Sequence, residues 1–107
     1  MTSSIIANLE RLLGGSRDGA LLRYSLGTEW LKAGNPARAA GFFREAIELD
    51  PQYSVAWKQL GKALSESGDI KAAQEAYAQG IVVAEARGDK QAEKEMTVFA
   101  RRLGSTE

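Results

Sequence analysis

The chain has 107 residues, 14 basic and 14 acidic side chains, and a formal net charge of zero. This length predicts one domain, residues 1–107, and 44% apolar with 26% charged residues is typical of a globular protein. The sequence contains neither cysteine nor histidine, which excludes disulfide bonds, thiolate catalysis and the commonest general base and metal ligand. The balanced charge disfavours nucleic acid or an anionic membrane as a partner.

The N-terminal segment does not read as a secretory signal, because Asn8, Glu10 and Arg11 interrupt its apolar stretch and no basic residue precedes it. No apolar run approaches the roughly 18 residues that a bilayer-spanning helix needs. We therefore expect a cytoplasmic protein without a membrane segment. Residues 4–13 are predicted to form an N-terminal flanking helix that the following pair of glycines ends.

Two helix hairpins are predicted next, over residues 20–53 and 54–87. In both, apolar residues recur at helical spacing, and Gly34 or Gly68 can end the first helix in the left-handed conformation. The polar residue after each glycine can accept hydrogen bonds from the free amides of the second helix. A C-terminal capping helix is predicted over residues 89–103. The predicted helices of the whole chain span residues 4–13, 19–33, 36–49, 53–67, 70–87 and 90–103.

The two hairpins are copies of one repeat with a period of 34 residues. The identical pairs include Leu26 and Leu60, Gly27 and Gly61, Gly34 and Gly68, Ala39 and Ala73, and Ile47 and Ile81. A glycine inside a helix costs about 1 kcal/mol relative to alanine. We therefore expect Gly27 and Gly61 to allow a close approach of helices, with Ala39 and Ala73 buried against them.

The period and spacing resemble the tetratricopeptide repeat, whose pattern is W-x2-L-G-x2-Y followed by alanine, an aromatic residue, alanine and a terminal proline. The matching residues are Leu26, Gly27, Trp30, Ala39, Phe43, Ala46 and Pro51 in the first copy, and Trp57, Leu60, Gly61, Ala73 and Tyr77 in the second. The resemblance implies an all-α, right-handed stack of antiparallel helix hairpins with about six helices. Three departures from the pattern are Arg23 at the first tryptophan, Gly80 at an alanine, and Ala84-Glu85 at the final Asp-Pro.

The capping helix is predicted to bury one apolar stripe, which consists of Ala92, Met96, Phe99 and Leu103. Its outer face is expected to carry charged residues, as terminal helices of repeat proteins do. These are Lys90, Lys94, Glu95, Arg101 and Arg102.

Candidate partner-binding residues lie on the first helix of each hairpin, which lines the concave side of such a stack. The predicted groove consists of Tyr24, Thr28, Leu31, Lys32, Lys58, Gln59 and Lys62, with Val55 and Glu66 nearby. Tyr24 and Leu31 would supply apolar contact, and the pair Lys58 and Lys62 would favour an acidic or extended segment of another protein. Modules of this family that serve heat-shock chaperones use lysines and asparagines where this chain has Tyr24, Thr28 and Gln59, so that activity is not implied.

The sequence does not predict an enzyme, a cofactor or a metal site. Nucleophilic catalysis needs an activated side chain, and the glycines form neither a GxxxxGK[ST] nor a GxGxxG phosphate loop. The function that the sequence favours is a protein–protein interaction module or adaptor. The alternative is a structural, self-associating helical scaffold, such as a weak homodimer, that has no peptide ligand.

Overall fold

The computed structural model describes the backbone of residues 2–104 and the side chains of residues 4–104. This part of the chain is all-helical and has no strand. Its helices are α1 (Thr2–Glu10), α2 (Ala20–Lys32), α3 (Pro36–Leu49), α4 (Ser54–Glu66), α5 (Ile70–Arg87) and α6 (Lys90–Gly104). None of these helices is long and apolar enough to cross a membrane.

Each helix packs against the next one along the chain, so that α2 with α3 and α4 with α5 form the two predicted hairpins. The first helices of the two hairpins also touch each other, since α2 contacts α4. In addition, α4 contacts the last helix, α6. The resulting stack measures 40 × 28 × 18 Å. This order confirms the predicted all-α stack and brings α2, α4 and α6 to one side of it.

The turns inside the hairpins have the predicted geometry. Gly34 and Gly68 take φ values of +83° and +91°, in the left-handed region that favours glycine. The Asn35 side chain then accepts a hydrogen bond from the Arg38 N–H at 3.2 Å, and Asp69 caps α5 in the same way. Local sequence alone therefore sets where α3 and α5 begin.

The first helix ends three residues before residue 13, where the sequence placed its end. α1 ends at Glu10, and residues 11–14 form turns in which Leu12 N–H bonds to Leu9 C=O at 3.0 Å. The carboxylate of Asp18 accepts a hydrogen bond from Gly14 N–H at 2.9 Å. Because this bond and the positive φ of Gly14 turn the chain, the helix stops one turn earlier than its apolar pattern indicates.

The two mid-helix glycines make room for aromatic rings. Ala39 and Ala73 are fully buried, as predicted. However, a Cβ placed on Gly27 would come within 3.0 Å of the Phe43 ring, and one on Gly61 would meet the ring of Tyr77. The atoms nearest to each glycine therefore belong to the aromatic ring one helical turn after the alanine, which the sequence analysis did not anticipate.

Gly80 has the same role between α5 and α6. A Cβ at Gly80 would collide with Met96 of α6 and with Trp57 of α4. Met96 is fully buried, and Phe99 packs against the same cluster, which confirms the predicted apolar stripe of α6. The departure of Gly80 from the repeat pattern is thus what lets the last helix pack tightly on α5.

Candidate functional site

A groove runs between α2 and α4 on the side where the first helices of the hairpins meet. Its volume is about 300 Å³, and its lining consists of Thr28, Leu31 and Lys32 from α2 with Gln59, Lys62 and Glu66 from α4. Five of the seven residues predicted for the groove therefore lie together. We call this depression the concave groove.

A second depression of about 150 Å³ lies beside it, between α4 and α6. It is lined by Lys58, Gln59, Lys62, Glu95 and Phe99. Gln59 and Lys62 line both depressions, so the two form one continuous surface. Lys58, the sixth predicted residue, belongs to this part of the surface.

Tyr24, the seventh predicted residue, lines neither depression. Its ring centroid lies 5.7 Å from that of Phe43 and 5.1 Å from that of Tyr53, and the side chain is half-buried. Burial raises the pKa of the neighbouring Tyr53 above its ordinary value. Much of the Tyr24 ring therefore packs on Phe43 and Tyr53, and less of its surface faces a partner than the sequence predicted.

The two predicted lysines have different surroundings. Lys58 Nζ lies 2.8 Å from Glu95 Oε1, and the hydrogen bond from Lys58 holds the pKa of Glu95 below its ordinary value. Lys62 is exposed and has no ion pair within residues 4–104. Lys32 is also exposed, with Glu29 at 3.4 Å. The groove therefore carries less free positive charge than the sequence suggested.

Glu95 is the site residue that sequence reasoning misplaced. It was expected on the outer face of α6, but it faces α4 and binds Lys58. Glu95 precedes Phe99 by one helical turn, so both lie on the same flank of the helix. This spacing could have placed Glu95 beside the core, since Phe99 belongs to the apolar stripe.

The contacts at the start of α6 hold that helix against α4. The Ser54 hydroxyl donates to the Asp89 carboxylate at 2.6 Å, and this bond is the main cause of the lowered pKa of Asp89. No cluster of acidic side chains suited to a metal ion occurs in the described part of the chain. The surface formed by the two depressions has mixed chemistry: the apolar Leu31 and Phe99, amide and hydroxyl groups, and lysine.

The sequence matches a family model described as tetratricopeptide repeat over residues 31–89. The chain is 50% identical over 99 residues to a TPR repeat-containing protein of Pseudomonas aeruginosa, and the match covers 92% of this chain and 94% of that protein. It is also 42% identical over 62 residues to a heat-shock protein cognate co-chaperone of Aspergillus fumigatus, where 58% of this chain matches 18% of the relative.

Solved structures agree with these matches. A protein from Bordetella parapertussis, solved in solution, has a TM-score of 0.83 and 41% identity, and the match covers 95% of this chain and 89% of that one. The Sgt2 TPR domain from Aspergillus fumigatus has a TM-score of 0.79 and 29% identity, with 94% and 66% of the two chains covered. The chain therefore belongs to the tetratricopeptide-repeat family, whose domains are non-enzymatic modules for protein–protein interaction.

Proposed function

We propose that this protein is an adaptor whose concave groove binds an extended, acidic segment of a partner protein. The observation that supports the proposal is that Thr28, Leu31, Lys32, Gln59 and Lys62 line one groove of about 300 Å³. In this proposal the repeats are residues 20–53 and 54–87. Each contributes one wall, and residues 4–13 and 89–103 flank them.

The groove can supply both apolar contact and charge. Leu31 is half-buried, so a partner side chain can cover its exposed part without displacing the core residues on which it packs. Lys62 has no ion pair among the described residues, so a partner carboxylate can approach it without breaking one. Lys58 would have to leave Glu95 first, which makes Lys62 the stronger anchor for an acidic segment.

The charge of Lys62 gives a direct test. A tagged protein would be used to purify the partner from native extract, and the partner would then be titrated against wild type and Lys62→Glu by calorimetry. We expect the affinity of Lys62→Glu to be lower than that of wild type by roughly tenfold or more, because the attraction between Lys62 and a partner carboxylate becomes repulsion between like charges. The affinity of wild type should itself weaken as salt rises. Lys71→Glu is the matched control, since Lys71 is exposed on α5 and lines neither depression. Equal affinity of Lys62→Glu and wild type would overturn the proposal.

A self-associating scaffold is the second candidate function. Apolar side chains are exposed away from the groove, with Leu21 at 70%, Val82 at 60% and Ile5 at 49% of their full accessible surface. Such residues can pair between copies of a chain. Sedimentation velocity over a wide concentration range decides between the two: a mass that rises with concentration favours the scaffold, and a constant monomer mass excludes it.

A further inference from the structure

A depression of about 210 Å³ lies between the second helices of the two hairpins, away from the concave groove. One wall comes from α3 and the other from α5, and the floor comes from α4. The depression shares no residue with the concave groove. Its apolar lining consists of Trp57, Leu60, Leu64, Ala72 and Ala76. We call this depression the convex slot.

The first repeat fills the equivalent place with larger side chains. At the period of 34 residues, three residues of the slot have bulkier counterparts: Leu64, Ala72 and Ala76 correspond to Trp30, Arg38 and Phe42. The Arg38 guanidinium lies 4.8 Å from the centre of the Trp30 ring, and the indole nitrogen of Trp30 is buried. Trp30 and Phe42 both pack against the buried cluster between α1 and α2. The same place of the repeat therefore holds aromatic rings beside an arginine in the first copy and is open in the second.

The slot has an arginine at its edge but no ring beside it. Arg44 of α3 lines the slot, is exposed, and forms no ion pair with any residue from 4 to 104. A guanidinium attracts both the face of an aromatic ring and a carboxylate. On the α5 side the slot is lined by the exposed Glu75, which disfavours a second carboxylate there. The charges therefore favour a ring with a single acidic group on the α3 side.

A second copy of this chain cannot supply the ring. Every tryptophan, tyrosine and phenylalanine of the sequence lies within residues 4–104, and each is buried or half-buried. A ring that enters the slot must therefore come from another molecule.

We propose that the convex slot docks one aromatic side chain, followed by an acidic residue, from an exposed segment of another protein. The ring covers Leu64 and Ala76 and lies beside Arg44, as Trp30 lies beside Arg38 in the first repeat. The adjacent carboxylate pairs with Arg44. Aromatic side chains that enter apolar pockets are common anchors of protein interfaces, because they bury a large area at one point. This site does not depend on the concave groove.

The test uses three blocked tetrapeptides and NMR titration of isotope-labelled protein. The first peptide is glycine, tryptophan, glutamate, glycine; the second has alanine in place of tryptophan, and the third has glutamine in place of glutamate. The first should shift the amides of Leu64, Ala72 and Ala76 with a dissociation constant on the order of 1 mM, since one side chain covers little area. The second should leave these amides unchanged. The third should bind about two- to fivefold more weakly, as expected for the loss of an exposed ion pair.

Two variants examine the ring and the charge separately. Ala76→Phe places in the slot the residue that the first repeat has there, and it should abolish binding. Arg44→Gln should make the glutamate and glutamine peptides bind equally. The matched controls are Ala78→Phe and Arg17→Gln, which change exposed residues outside the slot and should bind like wild type. Circular dichroism would verify folding, and Arg44→Gln decides the test if Ala76→Phe does not fold, because Arg44 is exposed.

Several results would overturn the proposal: no shift at the slot, equal binding of the alanine peptide, or binding retained by folded Ala76→Phe. Equal affinities of the glutamate and glutamine peptides for wild type would overturn it too, because the ring would then associate without Arg44. Tighter binding of free tryptophan than of the first peptide would assign the slot to a small molecule instead of a partner protein. Lys62→Glu should leave peptide binding unchanged, so a failure of the concave groove and a failure of the convex slot are separable.

Discussion

The two hairpins use different side chains, at the same position of the repeat, to bind the loop that precedes each hairpin. Arg23 in α2 and Trp57 in α4 lie one repeat apart. Arg23 donates to Asp18, in the loop before α2, at 3.0 and 2.7 Å, and to Glu45 of α3 at 2.5 Å. Trp57 donates its indole N–H to the carbonyl of Pro51, in the loop before α4, at 2.9 Å.

Both side chains therefore tie a loop to a hairpin, the first through charge and the second through a ring. Trp57 also packs against the buried clusters on either side of it, which include residues of α3 and α6. The comparison teaches that this position of the repeat needs a link between the loop and the hairpin and does not need a tryptophan. The two links should differ in strength and in their response to salt and pH.

The largest expected effect is the loss of Trp57. Trp57→Ala should destabilise the fold by about 3 kcal/mol, at the lower end for such truncations because the ring is only half-buried. Urea denaturation followed by circular dichroism measures this, and the loss should not depend on salt. Trp57→Phe keeps a ring and removes the N–H, so it should cost less. Equal losses in both variants would assign the role of Trp57 to its hydrogen bond alone.

A smaller effect is expected at the glycine that both hairpins have inside their first helix. Gly27→Ala and Gly61→Ala should each bring a Cβ within 3.0 Å of the facing ring. Overpacking costs about 1–3 kcal/mol, and alanine recovers about 1 kcal/mol of helix propensity, so each variant should lose about 0–2 kcal/mol. The same denaturation measurement applies. Gly41→Ala is a matched control, since nothing lies within 4 Å of its Cβ position, and it should be neutral or stabilising.

The charged link should be weaker than the ring. Partly exposed ion pairs generally contribute about 0–1 kcal/mol. Arg23→Gln should therefore destabilise the protein less than Trp57→Ala, and the loss should shrink further at about 1 M salt, where charges are screened within about 3 Å. Melting curves at low and high salt measure both effects. A loss equal to that of Trp57→Ala and independent of salt would show that Arg23 acts by packing.

The smallest expected effect is a contribution of Asp18 to stability that is lost in acid. The hydrogen bonds from Arg23 hold the pKa of Asp18 at about 2, below the value of about 4 that an unfolded chain has. The folded state therefore binds fewer protons than the unfolded state between these values, and the contribution of Asp18 is present above about pH 4 and lost toward about pH 2. In acid titrations followed by circular dichroism, wild type and Asp18→Asn should differ at neutral pH and converge below about pH 2. Curves that stay parallel over this range would contradict the assigned cause.

The ends of the helices could be predicted because their causes are local. Gly34, Asn35 and Pro36 supply a left-handed residue, a capping side chain and a first-turn proline within three positions. Gly68 and Asp69 repeat the first two of these. The early end of α1 could not be read in this way, since it depends on a bond from Gly14 to Asp18 in the next loop.

The groove was predictable in position and less so in charge. The period of 34 residues placed Thr28, Leu31 and Gln59 on one side of the stack, because each lies away from the apolar stripe of its own helix. Whether a lysine on that side forms an ion pair depends on which side chains the neighbouring helix places beside it. Lys58 meets Glu95, 37 residues away, and Lys62 meets no acidic partner in the described chain.

By itself, the sequence determined the all-helical repeat, the turns and most of the residues that line the groove between α2 and α4. These follow from periodicity and from residues with restricted backbone geometry, which act over a few positions. Only the tertiary structure decided that rings fill the glycine positions and that Glu95 turns toward Lys58. The physical reason is that these contacts join side chains of different helices, such as Lys58 and Glu95, 37 residues apart, so no local pattern of the sequence encodes them.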